Sequence, residues 1–292
     1  MLTKRNFPLK SFVLLAVLAL FIAYTGTAEA HVKWFSNFDF GDPPRSMMEI
    51  LNPTVIGLAI FAAVVIGGLV PLDLTLAKVD WYQRINNWLE SYSDQALLIM
   101  RVGTGAVMLM VWQADALLAP ELVLFAPWLG WAQFAIALLL IFKRTTPLAG
   151  AGVLALYGLA IYEYGLFHML DYAHYAGVGF YLLICNIKNE SVRGLGLPAL
   201  YSTVGFSLAW LAAEKLVYPE WGLFILSDNP ELTLGLPPSF FLTGAAFVEL
   251  SLGFLLIICL LQRPLSLVIT LVFFSTTTLF GETEVIGHTI LH

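Results

Sequence analysis

PTVIGLAIFAAVVIGGLVPLDL, residues 53–74, decides the class of fold. From Pro53 to Leu72 it carries no charged side chain, and a helix of that length crosses a hydrocarbon core of roughly 30 Å. Seven further stretches of the same character follow, near 97–118, 124–142, 146–165, 170–187, 198–216, 239–261 and 264–283. The whole 292-residue chain agrees: 59% of it is hydrophobic and only 12% charged, where a soluble domain carries about 25% charged residues. The expected fold is all-α, a polytopic membrane helix bundle of eight transmembrane helices occupying 53–292. Two cysteines, Cys185 and Cys259, both inside apolar runs, rule out a disulfide scaffold, and a net charge of -6 argues against a nucleic-acid partner.

Residues 1–30 read as a signal peptide, with basic Lys4, Arg5 and Lys10, an apolar Ser11–Ala23 core and an Ala28-Glu29-Ala30 cleavage pattern. Cleavage after Ala30 makes His31 the mature N-terminus; the alternative is a retained signal anchor. Residues 31–52, with Trp34, Phe35, Phe38 and Phe40, read as an aromatic segment on the membrane surface. Between the first two spans, Asp80–Gln95 is too polar to cross. Its Trp81, Tyr82, Ile85 and Trp88 share one side of a helix, the pattern of an interfacial segment.

Orientation follows from the basic residues, which favour cytoplasmic loops. Lys78 and Arg84, Lys143 and Arg144, Lys188 and Arg193, and Arg263 fall in alternate connections. Placing these inside puts 31–52, 119–123, 166–170, 217–238 and both mature termini on the periplasmic side of a bacterial inner membrane.

The chain also repeats itself. Trp131-Ala132-Gln133 leads through Leu139-Leu140-Ile141 to Arg144 and Pro147, as Phe247-Val248-Glu249 leads through Leu255-Leu256-Ile257 to Arg263 and Pro264. The halves are 97–187 and 198–292. The first holds four spans and the second three, so the 53–74 span is expected to complete the second bundle.

Ala213-Glu214-Lys215-Leu216, Glu249-Leu250-Ser251-Leu252-Gly253, Leu255-Leu256 and Arg263-Pro264 resemble the DoxX family of small four-helix membrane proteins. The resemblance covers 198–292 best and 97–187 more weakly, and Leu211-Ala212-Ala213 departs from the glycine usual before the lysine. It implies tandem four-helix units and an association with quinone-linked redox chemistry.

Two sets of residues carry candidate chemistry. All five histidines fall at the periplasmic face: His31, His168, His174, His288 and His292. His168, Asp171 and His174 form an H-x-x-D-x-x-H run, and Glu284, His288 and His292 recur every four residues, one stripe if helical. Imidazole with carboxylate at such spacing suits a transition metal, copper above all if His31 is a free N-terminus. A lone histidine at a helix end is more often an interfacial or capping group than a ligand. The second set is intramembrane: Gln133, Lys215 and Glu249. A charge at mid-span costs about 2.5–3.5 kcal/mol on insertion scales and defaults to function. For Glu249 the expected partner is Lys215 or Arg101; for both Glu249 and Gln133 the alternative is interhelical hydrogen bonding.

Three functions follow: a metal-binding protein with a redox or metal-handling role, a transporter or channel with a polar path at Glu249 and Gln133, or an assembly subunit without a site. The expected partners are the bilayer and a membrane redox protein or a second copy.

Overall fold

The structure is a computed structural model, which describes Lys33, Phe35, Ser36 and residues 42–280, with side chains as far as Leu271. The signal peptide, His31, Glu284, His288 and His292 lie outside the described residues.

A helix lies over each of the eight apolar stretches, and what starts several of them is legible in the chain. After the single turn α1 (Met47–Ile50), α2 (Pro53–Leu76) opens with a proline whose missing N–H costs nothing there. Asn52 caps it by accepting from the amides of Thr54 and Val55 at 3.0 and 3.1 Å. The polar stretch that follows is α3 (Asp80–Glu90), with Trp81, Ile85 and Trp88 all exposed, as an interfacial helix requires. The remaining helices are α4 (Ala96–Gln113), α5 (Pro127–Leu140), α6 (Thr146–Tyr164), the short α7 (Leu166–Met169), and α8 (His174–Ile184). Then come α9 (Glu190–Arg193), α10 (Gly196–Val217), α11 (Pro219–Asp228), α12 (Pro238–Ile257) and α13 (Gln262–Phe280).

Among the described residues, four helical runs, Pro53–Leu76, Asp80–Gln113, Glu190–Val217 and Pro238–Ile257, are long and apolar enough to cross a membrane, while Pro127–Leu140 and His174–Ile184 are apolar but shorter. Their surfaces suit lipid. On α2, Ile56, Ile60 and Val64 are 47%, 61% and 69% exposed, a pattern that water would penalise. The chain is an integral membrane protein.

The helices fall into two groups. Val107, Met108, Leu129, Val153 and Leu182 form the core of α4, α5, α6 and α8. Leu69, Leu208, Leu256 and Leu265 form that of α2, α10, α12 and α13, so the first span does pack with the second group. Small residues set the tightest crossings. A Cβ on Gly253 would lie 2.4 Å from the Gly205 carbonyl across the α10–α12 contact, and one on Gly150 2.4 Å from the Leu183 nitrogen across α6–α8. The groups meet where α8 crosses α10, with Gly177 against Thr203.

Three helix ends differ from the sequence reading. The 97–118 stretch stops being helical at Gln113, because Asp115 and Leu118 take positive φ (52° and 65°) and turn the chain into an antiparallel hairpin. Its strands are β1 (Ala116–Leu117) and β2 (Ala119–Val123), so the bundle carries one small β element. The 170–187 helix begins only at His174, after a turn that holds Asp171 outside it. The 239–261 helix ends at Ile257, with Cys259 and Leu261 at positive φ (58° and 52°).

Candidate functional site

Ionisable side chains are buried together at the end of the bundle that carries Lys33. Lys33 Nζ lies 2.7 Å from Asp171 Oδ2 and 2.9 Å from Glu214 Oε1. Asp171 comes from the turn before α8 and Glu214 from the last turns of α10, so one cation ties the two helix groups together. Neighbouring residues of α10 diverge by about 100°. Glu214 therefore turns towards Lys33 while Lys215 reaches the other way, its Nζ 2.8 Å from Glu249 Oε2 on α12. The five side chains are 0–7% exposed.

Three described residues that follow Lys33 in the chain, Phe35, Asp42 and Arg45, are anchored to α10 and α11. Phe35 packs with Tyr218, Trp221 and Ile225, Trp221 Nε1 donates to Asp42 Oδ2 at 2.7 Å, and the Arg45 amide donates to the Val217 carbonyl at 2.9 Å.

The electrostatics follow from burial. Burial disfavours the Lys33 ammonium, but the Asp171 and Glu214 carboxylates outweigh it and hold its pKa above the ordinary lysine value. Burial also pushes Asp171 upward, more than Lys33 pulls it down. Glu121, on β2, is pushed up to about 8 by burial first and by the charge of Asp171 second. Both of its carboxylate oxygens are sealed from water, with no partner from another described residue. His168 is pushed down to about 4 by burial and by Lys33, so it is neutral at physiological pH.

Several sequence expectations are corrected by this geometry. Among the described residues no three His, Cys, Asp or Glu side chains are grouped so as to hold a metal ion. Asp171 faces Lys33, His174 Nδ1 lies 3.3 Å from Ser207 Oγ, and the His168 ring packs edge-on against Phe167. The H-x-x-D-x-x-H run thus sends its members to three different neighbours, and the described part of the ligand set does not fit a metal. Arg101 is not a partner of Glu249, because its guanidinium donates to the carbonyls of Leu140 and Ile141 at the end of α5. Gln133 does not line a path: it is fully buried, accepts from the Leu118 amide at 2.9 Å and donates to the Ala116 carbonyl at 2.8 Å. It is a staple for the hairpin. Glu249 does meet its expected Lys215.

Lys33, Glu121 and Glu214 were missed as site residues. For Lys33 a signal existed, since it is one of very few basic residues on the side that the loop charges assign to the acids. Nothing in the chain marks Glu121, whose burial depends on the hairpin.

A cavity of about 340 Å³ opens beside the Lys215–Glu249 pair. It lies between the first turns of α2 and α12 and the α10–α11 junction, with Arg45, Thr54, Lys215, Leu223, Ser239 and Phe240 among its walls. A much smaller void of about 10 Å³ separates Glu214 and Lys215 from Tyr218 and Trp221, about the size that admits one water.

Compared with family models, curated proteins and solved structures, the chain matches none.

Proposed function

We propose that the chain is an eight-span protein of two DoxX-like four-helix units that takes a small molecule from the periplasmic side into the cavity at Lys215, in the manner of a transporter or carrier. The cavity carries this reading, because a polar opening that reaches a buried ion pair from one side is what a transport path requires. The first unit, with Gln133 spent on its hairpin, serves as the scaffold. The loop charges support an orientation with Lys33, the hairpin and the cavity mouth outside, where the N-terminus exported by a signal peptide also belongs.

Cysteine labelling tests it. In a background of Cys185→Ala and Cys259→Ala, Ser239→Cys reacts with a membrane-impermeant maleimide from the periplasmic side of intact spheroplasts. A cysteine in place of Ser191, before α10, reacts only after lysis. Labelling of neither position, or of position 191 alone in intact spheroplasts, would overturn the reading.

A further inference from the structure

We propose that the cavity beside Lys215 binds an amphipathic anion, a carboxylate or phosphate head joined to an apolar tail. This rests on the reading of that cavity as the ligand entrance and names what enters.

The walls offer two chemistries. The first is a set of hydrogen-bond donors. Lys215 is 4% exposed and spends one N–H on Glu249, with no other hydrogen-bond partner among the described residues, so two of its three donors remain. α12 begins at Pro238 with no side-chain cap, and the amides of Ser239 and Phe240 on its first turn have no acceptor among the described residues. An uncapped helix start with open amides and a positive dipole end favours an anion. The facing start of α2 offers no such donors, because Asn52 already occupies the Thr54 and Val55 amides. Arg45 adds a guanidinium that is 43% exposed and only partly engaged by Glu220. The acid in the lining, Glu49, is turned onto the Ser46 amide and hydroxyl, both at 2.8 Å.

The apolar part of the lining comes from the side chains of Val55, Leu216, Leu223, Phe240 and Leu242. Below it Ile56, Ile60 and Val64 continue down α2 at one-turn spacing, exposed. A head in the cavity therefore leaves its tail a lipid-facing track to follow. About 340 Å³ takes the head and the first carbons, not a long chain. Lys215 and Arg45 each already face a carboxylate, so directed donors, not net charge, select the ligand.

The test uses the full chain in phosphatidylcholine nanodiscs, with dodecyl phosphate as the probe in isothermal titration. One saturable site is expected, with inorganic phosphate and dodecyltrimethylammonium at least about tenfold weaker. Arg45→Gln raises Kd about tenfold, the loss of one charge-assisted hydrogen bond. Leu223→Trp fills the apolar half and abolishes binding, and its elution volume in gel filtration reports retained folding. Equal binding of the alkylammonium, or wild-type affinity in both variants, overturns the proposal. So does inorganic phosphate binding as tightly as dodecyl phosphate, since the tail then contributes nothing. Maleimide reaction at Ser239→Cys without dodecyl phosphate binding sinks the ligand class alone; loss of that reaction sinks the path itself.

Discussion

The ammonium of Lys33 sits 2.7 Å from the Asp171 carboxylate, with both side chains sealed from water at 4% and 0% exposure. Glu214 shares the same ammonium from the other helix group. Truncating Lys33 strands two acids in a site that no longer holds a cation, and removing one partner of a buried pair costs about 3–5 kcal/mol. Lys33→Met is expected to lower unfolding stability in mild detergent by that amount, with Lys33→Arg well above it. A loss below about 1 kcal/mol, the range of exposed pairs, would show that the clasp is not buried.

The two glycines at the α10–α12 crossing predict opposite behaviour to a glycine facing lipid. A methyl on Gly253 meets the Gly205 carbonyl at 2.4 Å, a backbone atom that cannot swing aside. Gly253→Ala should cost about 1–3 kcal/mol, the range for overpacking. Gly57 on α2 has nothing within 4 Å of an added Cβ, so Gly57→Ala is neutral or gains up to about 1 kcal/mol of helix propensity. Paired unfolding curves check it; equal effects at the two positions would contradict the crossing.

The contrast between what the chain discloses and what it conceals is physical. Apolar length, proline at helix starts and an amphipathic 80–95 segment are local signals, so helices lie where hydropathy places them. The Lys215–Glu249 pair was legible too, because a mid-span acid has few possible partners. Asp171 was not: its spacing to two histidines looks like a ligand set, yet its neighbour is a lysine 138 positions earlier. The hairpin was hidden for a similar reason. Ala116-Leu117-Leu118 is as apolar as any span, and its non-helical backbone is tolerable because the Gln133 amide and the Tyr175 hydroxyl reach it from different helices.

That dependence makes Gln133→Leu informative. The substitution keeps the volume but leaves the Leu118 amide and the Ala116 carbonyl without the side chain that satisfies them. Each unsatisfied buried group costs about 1–3 kcal/mol. The loss should appear locally, as faster amide hydrogen exchange at 116–123 with α10–α12 unchanged, and dodecyl phosphate binding should persist. Exchange that rises equally in both helix groups would deny Gln133 its role as a staple of the first unit.

Glu121 sets the pH dependence of that same hairpin. Burial, followed by the charge of Asp171, holds its pKa near 8 when folded, against an ordinary value of 4.5. Between those values the folded chain holds a proton that the unfolded chain has released. Stability conferred by this group is therefore complete below pH 4.5 and falls as pH rises towards 8, by at most about 1.4 kcal/mol per pH unit. Glu121→Gln keeps a neutral side chain of the same shape and removes that slope. Asp171 titrates in the same region, so the measurement is the difference between wild-type and variant Tm across pH 5–8. The variant should be the more stable of the two at pH 8, with the gap closing towards pH 5. Parallel curves would place the Glu121 carboxylate in contact with water.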